Sequence, residues 1–90
     1  MKFVLNNCYG GFGLSDWAIL RLNLQFPYNN IKRDNLKLIE LVEKFPDRVS
    51  NERAELKVVE IPNNCTDYEF IDYNGLESII YVVDGKIYHT

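Results

Sequence analysis

The chain has 90 residues, 47% hydrophobic and 26% charged, with 10 basic and 13 acidic residues for a net charge of -3. That balance describes one small folded domain spanning residues 1–90 and excludes a disordered tail; the scatter of Lys and Arg without a cluster argues against nucleic acid as a partner. No apolar run is long enough to cross a bilayer, which excludes a membrane-spanning segment.

In chain order, Phe3-Val4-Leu5 is a continuous apolar run bounded by Asn6-Asn7, the pattern of a short strand buried on both faces. The run is too short for a signal-peptide core, so the expected location is a reducing cytoplasm, with Cys8 and Cys65 as free thiols and no metal held between them. Next comes Cys8-Tyr9-Gly10-Gly11-Phe12-Gly13-Leu14-Ser15-Asp16, which places three of the chain's five glycines within four positions. Ser15 and Asp16 offer oxygens for a helix N-terminus, and the spacing predicts a helix from Leu14 to Phe26, stopped by Pro27 and covered on most sides. A second helix is predicted from Asp34-Asn35 to Phe45, closed by Pro46, with Leu38, Leu41, Val42 and Phe45 as its buried stripe. Residues 47–53 show no period and read as a loop.

Strands follow: Leu56–Ile61 ending at Pro62, then Asp67–Tyr73, then Ile79–Val83, then Lys86–His89. The pairs Asn74-Gly75 and Asp84-Gly85 are hairpin turn signals. A strand, two helices and a run of strands define an α+β fold, with a mostly antiparallel sheet and two helices packed on one face. At this length a core has a thin margin of stability, and a homo-oligomer is expected.

A strand, a glycine loop and a helix start form an arrangement suited to anions, because backbone N–H groups can approach a phosphate there. The spacing matches neither the dinucleotide fingerprint nor the P-loop. On this reading the candidate ligand-binding residues are Gly10, Gly11 and Gly13 for phosphate, Tyr9, Phe12 and Tyr73 for stacking, Ser15 at the helix start, and Arg33 for charge. The competing reading makes the glycines a tight turn and the aromatics core. Asp67, Glu69, Asp72, Glu77 and Asp84 read as a solvated strand face, and His89 as a surface residue. No nucleophile has a base partner and no carboxylate pair has a telling neighbour. The expectation is a non-enzyme without cofactor or metal.

Four motifs carry a resemblance: Val4-Leu5-Asn6-Asn7-Cys8-Tyr9-Gly10-Gly11-Phe12-Gly13-Leu14-Ser15, Arg33-Asp34, Leu56-Lys57-Val58-Val59-Glu60-Ile61-Pro62, and Ile71-Asp72-Tyr73-Asn74-Gly75-Leu76-Glu77. In these the chain resembles a family of small bacteriophage and prophage proteins that carries no established activity. It departs from that family at Asp84–Thr90, where the relatives tend to close on a His-Arg-rich segment with a terminal Trp. The resemblance implies a phage setting and the host cytoplasm. The function expected first is sequestration of a nucleotide-like host immune signal, held at a subunit interface. The alternative is a protein–protein inhibitor of a host defence enzyme.

Overall fold

The computed structural model describes residues 1–90, the side chain of Asn29 excepted. The fold is α+β, built as three layers. Strands β1 (Lys2–Asn6) and β2 (Leu56–Glu60) form an antiparallel pair, with Val4 opposite Val58. Helices α1 (Asp16–Leu22), α2 (Leu36–Lys44) and α3 (Pro46–Val49) pack together, and α2 lies directly on one face of that pair. Strands β3 (Asp67–Tyr73), β4 (Leu76–Val83) and β5 (Lys86–His89) form a separate antiparallel sheet, which meets β1 through its central strand β4. The predicted sheet is thus divided in two, because β1 recruits only β2 and the hairpins pair only among themselves.

Strand alternation makes β1 the middle of the molecule. Val4 points to the helical layer and joins Leu14, Ala18, Leu38, Val42, Val49 and Leu56 in one buried cluster. Phe3 and Leu5 point the other way and meet Ile61 and Ile79. That is the two-faced burial its apolar run predicts.

The helix boundaries differ from the sequence reading for local reasons. Helix α1 stops at Asn23, whose φ of 52° takes the left-handed conformation and directs its N–H back to Ile19 and Leu20 carbonyls. Asn tolerates that conformation, so the helix ends before Pro27 is reached. Leu20 and Phe26, expected under cover, are 80% and 82% exposed. Ser15 caps α1 as expected, its hydroxyl accepting from the Ala18 N–H at 3.1 Å. Asn35 caps α2 by accepting from Lys37 and Leu38. Ile39 joins that helix's buried face, whereas Phe45 stays 40% exposed. The expected loop after Phe45 opens instead with the turn of helix α3, which begins at Pro46, a residue preorganised for a first helical position. Both hairpin turns form where expected: Asn74 and Gly75 have φ of 52° and 92°, Asp84 and Gly85 φ of 53° and 75°, the pattern of type I′ turns.

Candidate functional site

The glycine loop joins β1 to α1 and packs against the β3–β4 turn. Its centre is Asn6, which is fully buried. The Asn6 amide donates to the Cys8 carbonyl at 2.8 Å and to the Gly75 carbonyl at 2.7 Å, and its oxygen accepts from the Glu55 N–H at 2.8 Å. One side chain therefore ties the loop, the approach to β2 and the second sheet together. Nothing in the sequence singled it out beyond its place at a strand end.

Glu77 is the second tie. Its carboxylate accepts from the Asn6 N–H at 2.8 Å and forms a bidentate pair with the Arg33 guanidinium, at 2.5 and 2.8 Å. The Arg33 group also donates to the Val4 carbonyl and lies 3.8 Å from the centre of the Phe12 ring. Glu77 is only 11% exposed and thus departs from the solvated face to which it was assigned, while Asp67, Glu69, Asp72 and Asp84 are exposed as expected. Of the predicted ligand residues, Arg33 and Phe12 thus spend their charge and ring face on each other and on Glu77.

The glycines answer to packing at three positions. An added Cβ would lie 2.1 Å from the Arg53 carbonyl oxygen at Gly10, 2.1 Å from the Asn51 side chain at Gly13, and 2.2 Å from the Gly11 nitrogen at Gly75. Gly11 differs: it has φ of 89° and open space where a Cβ would point. The Ser15 hydroxyl is taken up by Ala18 and by the Arg48 carbonyl, to which it donates at 2.6 Å. Tyr9 and Tyr73 remain exposed, at 67% and 66%, and stand edge to face with ring centres 6.4 Å apart. The structure therefore gathers Tyr9, Gly10, Gly11 and Tyr73 at one place, holds Phe12 and Arg33 beneath it in an ion-pair cluster, and puts Ser15 to work as a cap.

A different surface carries the larger concavity. A groove of about 600 Å³ runs between the start of α2 and β3, lined by Phe3, Leu36, Ile39 and Tyr68 with Asp34 and Glu43 at its margins. A second groove of about 360 Å³ shares Phe3, Asp34 and Tyr68 with it and continues past Ile31 to Phe70. Phe3 forms the floor, 5.3 Å from the Tyr68 ring and 5.2 Å from the Phe70 ring. At the rim the Lys2 ammonium is held above its ordinary pKa by a hydrogen bond to Glu43 and by that carboxylate's charge. Among the described residues strand β3 pairs only with β4, and no backbone group from Asp67 to Tyr73 bonds the backbone of any element but β4. The sequence reading missed this groove because its walls come from three distant segments, each unremarkable alone.

Both cysteines are free. Among the described residues no three His, Cys, Asp or Glu side chains converge on a metal-sized site, and no helix is long and apolar enough to cross a membrane. Comparison with family models, with curated proteins and with solved structures finds no match for this chain.

Proposed function

We propose that this protein acts by binding an extended segment of a partner protein along the free edge of β3. In the phage setting that the resemblance implies, the partner is a host protein and the outcome is inhibition. The observation that carries the reading is the coincidence of an unpaired strand edge with an aromatic groove beside it. Addition of a strand to an open sheet edge supplies backbone hydrogen bonds, and the neighbouring pockets supply selectivity for alternate side chains. Tyr68 and Phe70, 43% and 45% exposed, are the anchors such a segment would cover. The test is a binding assay with host proteins on the parent and on Phe70→Lys, with folding checked by circular dichroism. A specific partner bound by the parent should lose affinity at least about tenfold on this change, the scale of one anchor residue. Equal binding by the variant rejects the groove.

A second reading, sequestration of a nucleotide-like ligand, is favoured by one observation: the exposed Tyr9–Tyr73 pair beside the glycine loop. Two tyrosines side by side can stack on a base. Native mass spectrometry of protein recovered from infected cells tests it. An extra mass of a few hundred daltons, lost in a Tyr9→Ala/Tyr73→Ala variant, supports this reading over the groove; a bare mass in infected cells rejects it.

A further inference from the structure

The face of the second sheet turned away from β1 carries an apolar stripe that no helix covers. Register places Ile71, Leu76, Ile80, Val82 and Ile87 on it, flanked by the polar Asp67, Glu69, Ser78 and His89 and by Tyr73, whereas Tyr68, Phe70, Ile79 and Tyr81 share the inner face with Phe3. Ile87 is 65% exposed and Ile71 37% exposed. Among the described residues no helix or other strand makes extensive contact with this face. Strand β4 reads Leu76-Glu77-Ser78-Ile79-Ile80-Tyr81-Val82-Val83, ending in the continuous apolar run of a strand covered on both sides, yet the chain covers one. An antiparallel sheet that faces water normally alternates to polar residues there.

We propose that a second copy of this chain covers this face, so that two three-stranded sheets stack as a sandwich about a twofold axis. The groove beside β3 lies on the other side of the sheet, so this inference is independent of the binding function proposed above. Avoidance of like charge selects the geometry. On the outer face, the β3 side carries the carboxylates of Asp67 and Glu69, and the β5 side carries His89 and Ile87. Glu69, Ile80 and His89 lie in one row across the sheet. An axis parallel to the strands sets each Ile80 against its counterpart and each Glu69 over the other copy's His89. An axis across the strands would set β3 on β3 and stack carboxylate on carboxylate. The first arrangement is isologous and self-complementary, as a twofold interface requires.

Area is consistent with a modest dimer. Three short strands at about 4.8 Å spacing and about 3.4 Å per residue present a flat patch of about 300 Å² per sheet, about 600 Å² for two stacked sheets, the size of a weak, transient interface. Association should therefore be reversible and depend on concentration.

The experiment is sedimentation velocity on the full chain from about 1 to 200 µM, with Ile87→Lys and Phe70→Lys in parallel. The parent should pass from monomer to dimer across that range. Ile87→Lys, a change at an exposed site that leaves the fold intact by circular dichroism, should stay monomeric throughout, with at least a tenfold weaker dimer constant. Phe70→Lys, on the opposite face, should dimerise like the parent. A parent that remains monomeric at 200 µM overturns the proposal and leaves the face to another occupant. A dimer that survives Ile87→Lys overturns it as well, since the contact must then lie elsewhere.

Discussion

The two sides of β1 are closed by different means. Toward the helices, eight residues are buried together, drawn from both strands of the first sheet, all three helices and the segments between them. Toward the second sheet, among the described residues, only four are buried, and Ile79 is the sole contribution of β3, β4 and β5. The second sheet is instead fastened by directed polar bonds, Asn6 to Gly75 and the Glu77 carboxylate to Asn6 and Arg33. Apolar burial stabilises without fixing orientation, whereas a buried amide or a bidentate ion pair accepts one geometry. The comparison teaches that a thin sheet with little apolar contact can still be set at one angle, provided a few buried polar groups are fully satisfied.

Five substitutions would break or sharpen this contrast. Leu38→Ala removes a fully buried side chain from the helical cluster and should lower stability by about 3–4 kcal/mol in urea unfolding, the ordinary range for a large core truncation. Asn6→Ala should cost about 3 kcal/mol, nearly as much, because it leaves the Glu55 N–H and the Gly75 and Cys8 carbonyls unpaired. Equal hydrogen-exchange protection of the second sheet in this variant and the parent would show that the tie is dispensable. Glu77→Ala should cost about 2 kcal/mol by stranding a half-buried guanidinium, with exchange accelerated in β3–β5 before the helical layer responds. Gly11→Ala should cost about 1 kcal/mol, set by the backbone conformation alone, since no atom occupies the place its methyl would take. A much larger loss there would point to an unseen contact, whereas Gly75→Ala, with the Gly11 nitrogen 2.2 Å from the added carbon, must displace the loop.

Local chemistry made much of this fold legible. The two Asx-Gly turns, the alternation of β3 and the unbroken run of β1 each depend on neighbours in the chain, and the structure places them as read. Helix α1 ends short of its predicted stop because Pro27 is a conspicuous signal in the sequence and Asn23 a quiet one. The turn at Pro46 was hidden because a proline can open a helix as readily as it closes one. What the sequence could not reveal is pairing across distance. The glycine loop stood out as unusual, but its partners are Arg53, Asn51 and Gly75, and none is marked by its own surroundings. Arg33 looked available for phosphate until Glu77, 44 residues away, was brought against it. The grooved face was invisible for the same reason, being assembled from β1, the start of α2 and β3.

Trp17, the chain's single tryptophan, sits at the far side of the helical layer, with the guanidinium of Arg48 4.4 Å and that of Arg21 5.3 Å from its ring and Phe45 packed edge-on. The second sheet holds no indole, but it has a stacked tyrosine pair, Tyr81 and Tyr88, with ring centres 5.6 Å apart. The molecule therefore carries two optical probes, one in each outer layer. Tryptophan emission reports on the helices, and tyrosine near-ultraviolet dichroism reports largely on the sheet. If the two signals change at the same denaturant concentration, the layers unfold as one cooperative unit. If the tyrosine signal fades first, the sheet detaches while the indole is still in place, and a stability measured by fluorescence alone would overstate how firmly the second sheet is held.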